Sequence, residues 1–572
     1  MLEASPVSER GESLRILGRA AERVLTSSRT WLIFGLLWAA FYSFADRYTM
    51  NPDGMSYVDI ASNAVRNGPA EFINGYWSPG YPAVLAVFLA VFRPSPGAAY
   101  PVVHFANFCI FALVTLSFAF FLKHWIASWG AQGEARSTSA WMVPFGFSVF
   151  LWHSIELIGV AAVVPDLCVA GFVFLAAGVL CRLSMLRSQP GDYASLGVIL
   201  GLGYYFKAAM FPIGLLGLTV FWIMPPTRLV KRQSIALAAL TFLVVTAPLA
   251  LGLSFRSGKP TIGETGRLNY IWYVNQFHRH TGWVDAGEHG TPQHAPRKLM
   301  QKPELLEFAG PVSGTFPLWY DPAYWYDGVK AKFDWQQQWA ILRDNAQVYG
   351  ELLRFMNGLL AGALLLGVLM FRDLKFAKPE RRWAWQLVWP LSVILLYWLV
   401  HAEPRFVAPF FVLLWLAVYG VLMARVAATP RKVIIASVAA TVLIPSLLMA
   451  CIVFRSLFDE SSDRGRPVQQ VAAAALTAMG LRRGDRVAIV GEGFQDYSAQ
   501  IAGLKIVAQV PSEEEFQRLG PSELASVREH LRALGVKALI AKVRPFGAAP
   551  ADWRTVVAGS SSYSVLRISA KR

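Results

Sequence analysis

Long apolar segments recur along the first 454 residues of this chain, and they limit its fold more than any other feature. A stretch of about 18 or more apolar residues is long enough, as a helix, to cross a roughly 30 Å hydrocarbon core. Segments of this kind lie at 31–46, 99–122, 139–163, 167–185, 193–209, 210–225, 233–254, 352–371, 384–400, 406–424 and 432–454, about eleven spans. The segment 81–92 is apolar but only about a dozen residues long, which suits an interfacial or re-entrant piece. Only 16% of the residues are charged, whereas a soluble chain carries about one-quarter. The expectation is therefore an α-helical polytopic membrane protein.

The net charge of +16 does not call for nucleic acid, because much of it sits in short loops between spans. With residues 1–30 on the cytoplasmic side (Arg10, Arg15, Arg19, Arg23, Arg29), the later basic clusters fall on the same side. They include Lys123, Arg136, Arg182, Arg187, Arg228, Lys231, Arg232, Lys375, Lys378, Arg381, Arg382, Arg425, Arg431 and Lys432. Counting 81–92 as a span would reverse those later clusters. The N-terminal stretch reads as a polar lead-in to a retained helix, not as a cleaved signal. The four cysteines (Cys109, Cys168, Cys181, Cys451) lie in or beside apolar segments, so no disulfide framework or cysteine zinc site is expected.

This topology places loop 47–98, the turn at Asp166, the turn near Lys207, loop 255–351, the turn 401–405 and the tail 455–572 outside. The tail changes character. Short β-rich runs at 486–490, 505–510, 537–542 and 563–568 alternate with helical patterns, predicting a small α/β domain. Gly491 and Gly493 follow the first of these runs, but Asp496 stands where a dinucleotide fingerprint needs its third glycine; an ordinary strand-to-helix turn explains the pair. The domain reading is 1–30 cytoplasmic, 31–454 membrane domain with its outer loops, and 455–572 extracytoplasmic.

Polar residues at a membrane edge are costly to hold, which makes them candidates for function. Residues 46–82, DRYTMNPDGMSYVDIASNAVRNGPAEFINGYWSPGYP, carry Asp46, Asp53, Asp59 and Glu71 directly after the first span. Asp53 suits a general base, though its local sequence fits a turn or helix N-cap opening a helix at 55–65 better. Asp166, in Val-Val-Pro-Asp-Leu, suits a site acid or the N-cap of the next span. Lys207 and Arg405 suit stabilisation of a phosphate's charge, or snorkelling at the interface. Glu403 suits a salt bridge to Arg405. The aromatic run 314–327 holds Trp319 and Tyr320, whose faces suit sugar stacking or the membrane interface. His278, His280, His289 and His294 share that loop without metal-ligand spacing. His153 and Glu156 lie within a span, where they suit a pathway.

Asp53-Gly-Met-Ser-Tyr57 followed by the aromatic run 75–82 resembles the first outer loop of the GT-C membrane glycosyltransferases. More narrowly, it is similar to the protein O-mannosyltransferase and aminoarabinose transferase branch. The family's motif is Asp-Glu with a Tyr three residues after the Glu; Asp53 and Tyr57 match, and Gly54 replaces the Glu. A Lys after a Gly-aromatic run and Arg405-Phe-Val-Ala-Pro409 are similar to further family steps. The resemblance covers roughly 31–454 and leaves the tail unmatched. It implies an inverting transferase that moves a monosaccharide from a polyprenyl-phosphate donor to a lipid, polysaccharide or protein hydroxyl. The site would face the periplasm or exterior of a bacterial inner membrane. Asp53 is then the catalytic base, and Tyr57, Asp166, Lys207, Glu403, Arg405, Trp319 and Tyr320 bind substrate. No cofactor is assigned, and a divalent metal is left open. The alternative is a transporter or lipid flippase, which would show repeats and mid-membrane acids.

Overall fold

The computed structural model describes residue 16 and residues 18–129, 135–185, 189–225, 232–277, 289–308, 310, 313–372, 381–423, 428–542, 545, 553–559 and 561–568. Arg10, Arg15, Arg187, Arg228, Lys231, Lys375, Lys378, Arg425, His278 and His280 lie outside the described residues, and so do the side chains of Arg136, Arg381, Arg382, Arg431 and Lys432.

The expected apolar segments all lie on helices, and the chain is a multi-pass membrane protein. Among the described residues six helices are long and apolar enough to cross a bilayer: Pro96–Ser128, Ala140–Ile158, Asp166–Leu183, Arg232–Ser257, Pro404–Met423 and Val433–Ser456. Two bent pairs raise the number to eight, Gly18–Leu25 with Ser28–Ala45 and Trp335–Phe355 with Asn357–Met370. The other three expected spans fall on shorter apolar helices, Pro190–Phe206, Met210–Ile223 and Ala384–Trp398. Gly80–Phe92 is a short apolar helix of 13 residues.

Aromatic packing forms the centre. Phe118 and Phe150 stack at 4.4 Å, and Phe174 meets both edge-on. Outer helices turn apolar side chains outward instead, with Leu240, Val244 and Leu251 exposed on Arg232–Ser257. Such a face needs hydrocarbon around it.

One seven-stranded sheet stands beyond the helices, in the order β1-β2-β4-β3-β5-β7-β6. Its strands are β1 (Arg297–Gln301), β2 (Glu304–Glu307), β3 (Arg486–Val490), β4 (Lys505–Val510), β5 (Ala538–Ala541), β6 (Trp553–Ala558) and β7 (Ser561–Arg567). The four expected runs became β3, β4, β5 and β7. The parallel core β4-β3-β5 comes from the tail. The hairpin β1–β2 comes from loop 255–351 and pairs antiparallel with β4, Leu306 opposite Gln509. The outer loop and the tail are thus one sheet. The turn after β3 is a plain strand-to-helix turn: a Cβ on Gly491 would lie 2.5 Å from the Glu513 carboxylate, and Asp496 caps the next helix by accepting from the Ala499 N–H.

Candidate functional site

Three helices begin at one place. Pro52–Asn67 opens with Asn51 at its N-cap position and Pro52 inside, so Asp53 is a first-turn residue and not the cap. Asp166–Leu183 opens after Pro165, and Asp166 is likewise in the first turn without capping the helix. Pro404–Met423 opens with Arg405 in its first turn. An acid in a first turn gains from the helix dipole, whereas a cation there loses roughly 0.3–1 kcal/mol. Arg405 is held against that cost by carboxylates.

Its guanidinium reaches three of them. Nε donates to Glu403 Oε2 at 2.5 Å, one Nη to Asp53 Oδ2 at 3.0 Å, and the other Nη faces Asp166 Oδ2 at 3.6 Å. Lys207, at the C-terminal end of Pro190–Phe206, donates to Asp166 Oδ1 at 2.5 Å. The Lys207 ammonium also lies 3.5 Å from the Phe406 ring centre, a cation–π contact. His401 completes the group: its Nε2 meets Glu403 Oε1 at 2.8 Å, and its ring stacks on Tyr273 of the outer loop at 3.5 Å. Burial pushes the Glu403 carboxyl up, but the His401 hydrogen bond and the Arg405 charge outweigh it and hold it well below the usual range. Asp166 is 3% exposed and Asp53 20%. Five expected residues, Asp53, Asp166, Lys207, Glu403 and Arg405, therefore meet in one ion network drawn from four distant parts of the chain.

The rival acids are occupied elsewhere. Asp46 is buried and takes two hydrogen bonds from Arg464. Asp59 is half-buried and accepts from the Thr315 N–H and hydroxyl and from Gln500 Nε2. Glu71 accepts from Asn67 and from the Tyr320 hydroxyl.

Three expected residues lie outside this ion network. Tyr57 is 4% exposed, edge-on to Trp77 and Tyr81 behind Asp53; it supports the helix and offers no open face. Burial first, then the Asp53 and Asp166 charges, drive its phenol far above the usual range, so it stays protonated. Trp319 and Tyr320 are 3% and 6% exposed. The Trp319 ring packs among Trp77, Trp272 and Tyr76, while its carbonyl accepts from Ser56 and from Trp77 Nε1. Both are a plug that locks the outer loop onto Pro52–Asn67, because aromatic rings gain more in a dry cluster than on a wet surface.

No group of three His, Cys, Asp or Glu among the described residues is gathered to hold a metal ion. His289 bonds to the Lys330 carbonyl and His294 stacks on Tyr324. His153 bonds the Val149 carbonyl and Glu156 meets the Tyr42 hydroxyl at 3.5 Å, neither at this site. Sequence reasoning passed over His401, although His-Ala-Glu-Pro-Arg places it two residues before Glu403.

Gly54 explains the departure from the family motif. A Cβ there would lie 2.5 Å from Met50 Sδ and 2.7 Å from Val163 Cβ. The turn leading to Asp166 packs directly on this glycine, so position 54 has no room for an acid.

No protein-family model and no curated protein matches the chain. Two solved structures of ArnT from Cupriavidus metallidurans do. The apo form superposes with a TM-score of 0.52 at 12% identity over 95% of this chain and 99% of that one. The form bound to undecaprenyl phosphate gives 0.51 at 11% identity over the same shares. Identity this low establishes architecture alone, and by architecture this chain shares the fold of these ArnT structures.

Proposed function

We propose that this chain is a membrane glycosyltransferase that moves a monosaccharide from a polyprenyl-phosphate donor to an acceptor hydroxyl at the extracytoplasmic face of a bacterial inner membrane. The observation that carries this reading is the ion network, in which a partly exposed carboxylate shares one arginine with a lysine-bound acid. The fold's ArnT example with undecaprenyl phosphate bound supports the donor class.

The chemistry follows from the parts. Arg405 occupies Asp53 Oδ2, which leaves Oδ1 to accept the proton of the incoming hydroxyl. The hydroxyl oxygen attacks the anomeric carbon from the face opposite the phosphate. The anomeric C–O bond breaks, and its electron pair leaves with the polyprenyl phosphate. Configuration inverts in one displacement. The phosphate gains charge as it departs, so Lys207 and Arg405 stabilise the transition state more than the bound donor. Without donor, their charges are satisfied by Asp166 and Glu403. The donor phosphate must loosen those pairs, which makes the network its competitor and its template. No acid is needed for the leaving group.

The test is incubation of the purified protein in nanodiscs with a panel of polyprenyl-phosphate sugars and candidate acceptors. Release of polyprenyl phosphate by the wild type and not by Asp53→Asn is expected. Movement of intact donor across the bilayer without cleavage would favour the transporter reading and overturn this one.

A further inference from the structure

A second polar site lies at the other end of the helix that carries Asp53. Asp53 and Asn63 are ten residues apart, about 15 Å along a helix at 1.5 Å per residue. There a cavity of about 820 Å³ opens between Pro52–Asn67, the end of Gly80–Phe92 and the tail around Gln500–Lys505. Arg66, Arg93, Arg483 and Lys505 line it. The lining carboxylate, Asp59, is committed to Thr315 and Gln500. Glu71, near Lys505, is committed to Asn67 and Tyr320.

The cations outnumber the acids: four of them face one lining carboxylate, Asp59, with Glu71 acting on Lys505 from nearby. Among the described residues Arg66 bonds only the neutral Asn63, Arg93 only the Ala90 carbonyl, and Lys505 the Gly314 carbonyl. Arg483 has no hydrogen bond or ion pair among them. The excess of positive charge around one hollow favours the entry of an anion. Arg93 adds a second sign. It ends the Gly80–Phe92 helix in the left-handed region, at φ 44°. Glycine is the residue that adopts this conformation without cost, and a side chain there costs about 1 kcal/mol or more. Arg93 occupies that point and lines the cavity.

The neighbouring surface indicates what carries the anion. The short helix that ends at Arg93 exposes Val87, Val91 and Phe92 at 60%, 70% and 53%. A bare apolar helix face leading straight into a basic hollow matches an amphiphile, with chains along the helix and headgroup in the cavity.

We propose that this cavity binds the phosphate-bearing headgroup of an anionic membrane lipid, at a site separate from the Asp53 network. The test is native mass spectrometry of delipidated protein titrated with dioleoyl phosphatidic acid, dioleoyl phosphatidylcholine or inorganic pyrophosphate. The same titrations are made on Arg66→Gln/Arg93→Gln/Arg483→Gln and, as a control for general charge, on Arg518→Gln/Arg528→Gln/Arg532→Gln in the tail. Phosphatidic acid should bind the wild type and the control alike, at least tenfold better than phosphatidylcholine, and the cavity variant at least tenfold more weakly. Melting temperature shows whether the cavity variant is folded; if it is not, single Arg93→Gly, which suits the left-handed position, takes its place and should weaken binding at least threefold. Equal phosphatidic acid binding by the wild type and the folded cavity variant would overturn the site. Pyrophosphate binding as tight as phosphatidic acid would overturn the lipid as its source.

Discussion

Asp53 differs from its neighbouring acids in what its side chain is left free to do. Asp46 and Asp59 have their oxygens committed to Arg464, Thr315 and Gln500, whereas Asp53 shares one oxygen with Arg405. Asp53→Asn should cut turnover roughly 10²–10⁴-fold, the usual worth of a general base, with little change in melting temperature. Asp46→Asn should do the opposite, lowering stability by about 1–3 kcal/mol while turnover per folded molecule stays near wild type. Comparable turnover losses at both positions would remove Asp53 from its special role. Lys207 is less simple than a snorkelling cation, because Asp166 beside it is 3% exposed. Lys207→Met leaves that carboxylate buried and half-paired, which costs about 3–5 kcal/mol where a buried pair is broken from one side. Adding Asp166→Asn should recover most of that stability without recovering activity. Thermal unfolding and single-turnover rates of the single and double variants separate the two effects. Asp166 and Lys207 could be read in the sequence because each is a lone polar group at the edge of an apolar run, Glu403 and Arg405 because they share one short polar turn, and Asp53 because its motif resembles a known one. Trp319 and Tyr320 could not be placed, because an aromatic loop that coats a surface and one that plugs a core have the same composition.

At the scale of elements, one glycine decides the geometry of the site. Position 54 is closed by Met50 and Val163, so the turn 159–165 rests on bare backbone and delivers Asp166 to Lys207 and Arg405. Gly54→Ala should cost about 1–3 kcal/mol, as overpacking does, and should lower activity beyond the loss of folded protein, since Asp166 moves with the turn. Gly54→Glu, which restores the family's pair of acids, should be worse and not better. Improved turnover in Gly54→Glu would show that the turn is soft and the packing argument mistaken. This closure was not legible in the sequence, where Asp53-Gly54 looks like any turn. The strands show the same boundary. β3, β4, β5 and β7 announce themselves as β-rich runs in a polar tail, and the structure keeps all four. β1 and β2 were missed because Arg-Lys-Leu-Met-Gln and Glu-Leu-Leu-Glu are too short and too charged to signal strands alone. They become strands when β4 supplies the partner edge.

Over the whole molecule, the outer loop and the tail cannot be separated. β2 pairs with β4, Arg464 holds Asp46, and Gln500 donates to the Met55 carbonyl and to Asp59. These contacts join the tail to both the first loop and the long loop, and a bilayer cannot pass between groups in hydrogen-bond contact. Residues 47–98, 255–351 and 455–572 should therefore lie on one side of the membrane. The charge pattern adds that residues 1–30 lie on the other. Single cysteines at Ser62, Lys298 and Glu514 test the first statement, and one at Ser13 tests the second. Cys451 is exposed, so the background should carry Cys451→Ser to silence it. In sealed vesicles of known orientation, an impermeant maleimide should reach the first three together and Ser13 only after the vesicles are opened. The two halves of the result mean different things. Labelling of Glu514 and Ser62 from opposite sides would contradict the sheet and the Asp46–Arg464 pair, and so the fold itself. Labelling of all four from one side would leave the fold intact but add or remove one span, and the count of eleven would have to change by one.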